Sequence, residues 1–246
     1  MTATHNFCHL HVHSEYSLLD GTIFIKDIVA QAKKMGHSHI ALTDHGVMHG
    51  AIDFYLEAKK AGISPILGCE VYHTPFTAEK NLPKRCHMVL LATNFDGYKN
   101  LIQLISKGYI GQNFEDSTPT LLDIPDHLTK NLIGLSACLR GEFGVLVRTL
   151  RQQNGSGSLK LDKTHPETGE TCCYLIKFAT KMKALFGKEG FYVELINNNL
   201  PEQKALLSDF VEVAKWLDLP IVCSADAHYL LPEEADVHAV AVAIRN

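Results

Sequence analysis

The 246-residue sequence lacks a long apolar run, an excess of positive charge and a cysteine framework. No stretch approaches the roughly 20 apolar residues of a membrane-spanning helix, so no membrane partner is expected. Lysine and arginine number 23 against 27 aspartates and glutamates, a formal charge of −4. Free-standing nucleic-acid binders are usually basic, so any contact with nucleic acid has to come from a local feature. The seven cysteines are odd in number and irregularly spaced. Residues 1–6 have neither a basic start nor an apolar stretch. No export signal is therefore expected, and the thiols are read as reduced in a cytoplasmic protein. Also missing are a GxGxxG turn after the first apolar run, a P-loop lysine motif and a GxSxG elbow. The apolar share of 46% and charged share of 20% exclude a disordered or coiled-coil chain.

What the sequence has is alternation. Short apolar runs read as buried strands at Phe7–Val12, His39–Thr43, Ser64–Val71, His87–Thr93, Leu132–Ser136, Phe191–Ile196 and Pro220–Ser224. Most are followed by a stretch of helical period: Ile23–Met35, Ala51–Ala61, Tyr98–Ile105, Phe143–Arg151, Tyr174–Phe186 and Glu202–Leu217. Asp96 is a candidate N-cap, and Gly36, Gly62 and Gly187 are candidate helix stops. Repeated strand–helix units predict parallel strands with helical crossovers. Without the dinucleotide fingerprint, a closed or distorted barrel is favoured over an open sheet. Gln112–Thr120 reads as a polar connector and Gln152–Thr171 as an exposed excursion within a single domain spanning 1–246.

The sequence also has fourteen histidines, and many stand at run ends beside acidic residues. His9, His11 and His13 close the first run, with Asp20 shortly after; Asp44 and His45 close the second; Glu70 closes the third. His87 opens the fourth, Cys138 follows the fifth, Glu194 and Asn197–Asn199 end the sixth, and Asp226 and His228 follow the seventh. Barrel enzymes gather their catalytic groups from several strand ends on one face, so these residues are expected to converge. Imidazole, carboxylate and thiolate together suit Zn²⁺ or Mn²⁺-like ions.

The segments HLHVHSEYSLLDG, ALTDHG, PILGCEVY, CHMVLLATN, GLSACL and SADAHYL occur in this order. They resemble the PHP (polymerase and histidinol phosphatase) domain, and within it the form at the N-terminus of bacterial DNA polymerase III alpha subunits. The resemblance runs from about Phe7 to the last residue. It implies a distorted seven-stranded (β/α)7 barrel with up to three divalent metal ions at the C-terminal ends of the strands. Those ions would be zinc, with manganese or iron as alternatives. Carried over by motif, His11, His13, Glu70 and Asp226 would hold one metal. Glu70 would bridge to a second, held also by His87 and Cys138, and Asp20, His45 and His228 would hold a third. Glu70, Asp226 and His228 would carry the catalysis.

His9, Asp44, His49, Arg140 and Asn198 are expected behind the ligands or against substrate, and His37, His39, His127, His165 and His238 as surface or packing residues. Where relatives read Asn-His-Gly, this chain reads Asn197-Asn198-Asn199, so one substrate contact is expected to differ. The activity implied is metal-dependent phosphodiester hydrolysis, as a 3′–5′ proofreading exonuclease on single-stranded or frayed DNA. The implied partners are the remainder of a DNA-directed DNA polymerase chain and a proofreading subunit. The helical pattern at Ala243–Asn246 is read as cut before a polymerase palm, which would add nucleotides. Two alternatives stay open: a stand-alone histidinol-phosphate-type phosphatase and a non-catalytic structural module.

Overall fold

The computed structural model describes residues 7–110, 119–161 and 171–245. The elements follow in the order α1 (Ile25–Lys34), β1 (His39–Leu42), α2 (Ala51–Ala61), β2 (Ser64–His73), β3 (Cys86–Ala92), α3 (Phe95–Tyr109), β4 (Thr120–Leu121) and β5 (Leu132–Leu135). Then come α4 (Glu142–Asn154), α5 (Thr171–Phe186), β6 (Phe191–Ile196), α6 (Pro201–Trp216), β7 (Ile221–Ser224) and α7 (Ala235–Arg245). The seven strands form one curled sheet in the order β1-β2-β3-β5-β6-β7, with β4 paired to β2 off that path. The result is a distorted α/β barrel with helices on its outer side.

The segment expected as the first strand closes this barrel without forming a regular ladder. The amides of Ala41 and Thr43 donate to the carbonyls of His9 and Val12, both at 2.9 Å. On the other side, His13 N donates to Ala227 O at 2.8 Å and Ala227 N to His11 O at 3.1 Å. Residues 9–13 thus join the β1 edge to the chain beyond β7. The expectation of an all-parallel barrel is corrected at β3, which runs antiparallel to both β2 and β5. The β2–β3 connection holds no helix among its residues, so the chain reverses directly, whereas a parallel neighbour would need a longer crossover. The two-residue β4 was not expected, being too short to leave a periodic signal.

Alternation along the strands builds two layers. Cys69, Val71, Met88, Leu90 and Val193 point outward into the large core beneath α3–α6. Val89, Leu91, Leu135 and Ala137 fill the barrel interior with Ala41. A third cluster packs Ile25, Ile28, Val29 and Ala32 of α1 against Phe54 and Ala58 of α2 and against Ile40 and Leu42. At about 25 cal/mol per Å² these apolar faces supply the main drive for closure.

Helix signals hold with one shift. Asn94, not Asp96, caps α3, its Oδ1 accepting from Gly97 N at 2.9 Å. Asp96 lies in the first turn, where its charge suits the helix N-terminus. Gly36, Gly62 and Gly187 all adopt the left-handed conformation after helices, with φ of 76°, 76° and 80°. The start of the 152–171 stretch continues α4 to Asn154, and Thr171 opens α5 and is buried; 162–170 lie outside the described residues, as do 112–118 of the expected connector.

Candidate metal centre

The strand ends bring Glu70 into the middle of a ring of imidazoles. On β2 it faces inward, opposite in direction to Cys69 and Val71, and is only 1% exposed. Its Oε2 lies 2.7 Å from His11 Nε2 and 3.5 Å from His13 Nε2. Its Oε1 lies 3.4 Å from His45 Nδ1 and contacts His87 Nδ1. The reversed direction of β3 explains how His87 arrives here: an antiparallel strand presents its beginning where its neighbours present their ends. Asp226 Oδ1 completes the group at 3.3 Å from His11 Nε2 and 3.2 Å from His13 Nε2. The ligand atoms of His11, His13, Glu70 and Asp226 lie within 4.8 Å of one another, as do those of His13, His45 and His228. The His13 ring stacks on those of His45 and His228, with centroids at 4.0 and 4.2 Å, and those two rings are themselves 5.5 Å apart.

Asp20 sits at the outer side of this group. Its Oδ2 is 3.1 Å from His45 Nε2, and its Oδ1 is 3.8 Å from His228 Nε2. Cys138 follows Ala137, whose φ of 57° is left-handed, and Asp226 itself has φ of 50°. Leu19, next to Asp20, is left-handed as well, with φ of 58°. Three non-glycine residues in this region of backbone space, each at or adjoining an expected ligand, mark a locally constrained site. Asn198 braces one of them, its Nδ2 donating to Ala225 O at 2.8 Å.

Orientation comes from groups behind the ring. His11 Nδ1 donates to Glu194 Oε1 at 2.9 Å, which leaves Nε2 facing Glu70 and Asp226. Ser224 Oγ donates to the same carboxylate oxygen. His13 Nδ1 is 3.1 Å from Ser17 Oγ, and Ser17 Oγ donates to Asp44 Oδ1 at 2.7 Å. Asp44 also accepts from Ser14 N and Ser14 Oγ at 2.7 and 2.8 Å, so it orders the loop on which Ser14 and Ser17 stand. His228 Nδ1 donates to its neighbour's carbonyl, Asp226 O, at 3.0 Å, which frees Nε2 to face His45.

The scan of known families matches residues 9–198 to the PHP domain. The chain belongs to the PHP domain family. Its relatives include DNA polymerase III alpha subunits of Borreliella burgdorferi, 36% identical over 99% of this chain and 20% of that one, and of Campylobacter jejuni, 34% identical over 97% and 19%. This PHP domain therefore spans about a fifth of the length of the curated relatives it matches. A crystal structure from Bifidobacterium adolescentis, assigned as a metal-dependent phosphoesterase, shares the fold at a TM-score of 0.51 and 14% identity, covering 90% of this chain and 87% of that one.

The ligand atoms of the PHP domain suit a cation on their own terms. His13 Nε2, His45 Nδ1, Glu70 Oε1, His87 Nδ1 and Asp226 Oδ1 are buried and make no well-directed hydrogen bond, although they lie close to one another. Buried polar atoms are rarely left so, and a cluster of them aimed at shared space fits a coordinated ion. The donors are nitrogen and oxygen with one neighbouring thiol, a set that accepts Zn²⁺ or Mn²⁺.

The protonation balance reflects the same crowding. Burial opposes charge on Glu70, but the facing His45 and His87 hold its carboxyl well below the usual range. Burial opposes charge on Asp226 too, and His11 and His13 overcome it to hold that carboxyl low. Burial pulls His45 down, yet Glu70 and Asp20 lift it to about 10. Burial and the facing His13 push His228 to about 4. Burial, then the charges of Glu70 and Asp226, push the Cys138 thiol up to about 12.

Not every expected residue joins the PHP site. His9 packs at 4.8 Å from the Phe7 ring and 5.4 Å from His37, away from the ligand cluster. His49 is exposed, 6.4 Å ring to ring from Tyr16, and the Arg140 side chain is exposed beyond Cys138. Conversely, Glu194 and His238 take part without having been assigned a role. Glu194 stood among the run-end polar residues, which was its only signal. His238, expected as a surface or packing residue, has its Nε2 3.3 Å from Asp20 Oδ1. Nothing local in the sequence links positions 218 residues apart.

Proposed function

We propose that this PHP domain is a metal-dependent phosphoesterase of a replicative DNA polymerase chain, hydrolysing phosphodiesters at the 3′ end of DNA. The carrying observation is Glu70, a buried carboxylate faced by His11, His13, His45 and His87. His11, His13, Glu70 and Asp226 would hold one ion, Glu70, His87 and Cys138 a second, and Asp20, His45 and His228 a third. Bound divalent ions supply Lewis acidity toward a phosphoryl oxygen and a nucleophile available at neutral pH. The chain's own part is to present these groups in fixed orientation. Glu194 holds the His11 ring with Nε2 forward; Ser17, backed by Asp44, does so for His13. Glu70 and Asp226 remain anionic and would keep neighbouring cations together despite their repulsion. His228, with its proton on Nδ1, offers Nε2 at the side of the site near Asp20. A chain of net charge −4 can then attract an anionic backbone locally.

The relatives are about five times as long as the matched region, so the remainder of such a chain is proposed to add nucleotides and to carry further partners, a proofreading subunit among them. Among the described residues no helix is long and apolar enough to cross a membrane.

The test is digestion of single-stranded oligonucleotides labelled at either end, with histidinol phosphate in parallel. The expected result is progressive loss from the 3′ end, abolished by chelation and falling steeply with salt because phosphate contacts release counterions. Turnover of histidinol phosphate without release of nucleotides would replace the DNA substrate by a small phosphomonoester. No turnover of either by the fully metallated chain would leave a structural module.

A further inference from the structure

Helix α7 sends one side chain into the mouth of the barrel. Its neighbours Val237 and Val240 are 61% and 60% exposed, but the His238 side chain is 24% exposed and turns toward Asp20. The entry of α7 is set locally, since Glu234 Oε2 accepts from Leu230 N at 2.8 Å and Leu231 N at 3.2 Å. The His238 ring lies 5.5 Å from that of His228 and 5.4 Å from that of Tyr229, and its Nε2 is 3.3 Å from Asp20 Oδ1. Asp20 therefore has a division of labour. Its Oδ2 faces His45 at 3.1 Å, and its Oδ1 is shared between His228, at 3.8 Å within the cluster, and His238, which approaches it at 3.3 Å from outside. An imidazole N–H donating to one carboxylate oxygen fixes the plane of the other. Groups standing in this relation to a ligand typically govern metal affinity by 10–100-fold.

We infer that His238 is a positioning residue for the metal subsite around Asp20, His45 and His228: it holds the Asp20 carboxylate and backs the His228 ring without ligating the ion. This inference rests on the metal-centre reading above. Its effect is confined to one subsite, because no contact ties His238 to His11, His13, Glu70 or Asp226 among the described residues.

The experiment is stepwise Zn²⁺ uptake by the demetallated chain in chelator-buffered solutions, with bound zinc measured by elemental analysis. Wild type is compared with His238→Ala and His238→Gln, the latter keeping an N–H donor of similar reach. In His238→Ala, one binding step is expected to weaken about 10–100-fold, with the other steps and the thermal midpoint of the metal-free chain unchanged. His238→Gln is expected to recover much of that step. Unchanged uptake in His238→Ala would overturn the inference while leaving the metal centre standing. Equal loss in both variants would make His238 a ligand and also overturn it. Weakening of every step together with a lower thermal midpoint would reduce it to a packing residue. Wild-type protein that takes up no zinc would instead remove the metal centre itself.

Discussion

Glu194 on β6 receives a hydrogen bond from Nδ1 of His11, 183 positions earlier in the chain, at 2.9 Å, with both side chains fully buried. This contact decides which ring nitrogen of His11 faces Glu70 and Asp226. Glu194→Gln keeps the volume and removes the charge that favours the forward-facing Nε2. Zinc affinity at the His11 site is expected to fall about 10–100-fold, read by chelator competition. Unaltered affinity would show that the imidazole is held by its other neighbours alone.

Glu70 is the residue whose replacement should do most harm. Glu70→Gln leaves cations on either side under-compensated, so at least one equivalent of metal should be lost and hydrolysis should fall by more than about 100-fold, beyond the usual range for groups behind a ligand. Asp20→Asn should be milder, since it touches one side of the cluster. His9→Ala should be mildest, because His9 packs on Phe7 and His37. Elemental analysis and initial rates give the order; near-normal metal content and rate in Glu70→Gln would refute the central role of this carboxylate.

Chelation should lower thermal stability. Ligands bound only by the folded state stabilise it by about 2.7 kcal/mol at a hundredfold excess over Kd. For a domain of this size that corresponds to roughly 5–10 °C in Tm. The check is a melting curve before and after complete demetallation, and superimposable curves would argue against a structural share for the ions.

His73 gives a separate dependence on acid. It is 1% exposed, donates from Nδ1 to Thr74 O at 2.8 Å and is stacked on Phe76 at 4.6 Å. Burial, reinforced by His87, pushes it from 6.5 to about 4. A depressed histidine contributes stability that is present above its unfolded value and is lost as pH falls toward its folded value. The window is therefore about pH 6.5 down to 4, and its full size is at most about 3 kcal/mol at 1.36 kcal/mol per unit. Urea midpoints of the metal-free chain across that window should fall more steeply in wild type than in His73→Phe; parallel slopes would show that another group sets the acid limit.

The sequence by itself determined the class of fold and much of the site. Apolar runs of strand length, helical periodicity between them and glycines after helices are local signals, and Ala51–Ala61 coincides with α2. The order of the HLHVH, TDHG, GCE, CHM and DAH segments groups the candidate ligands by resemblance. Only the tertiary structure decided the direction of β3, because an apolar run reads the same in a parallel and an antiparallel strand. It also decided that residues 9–13 close the barrel through isolated backbone bonds, since a run held by a few contacts has the same composition as one in a regular ladder. Asn94 displaced Asp96 as the cap of α3 because the backbone turns into helix at Phe95, a choice that two nearby capping residues leave undecided. The roles of Glu194 and His238 depend on pairings 183 and 218 residues apart. Which carboxylate meets which imidazole is settled by the curl of the sheet and the seating of α7, neither of which is written in local pattern.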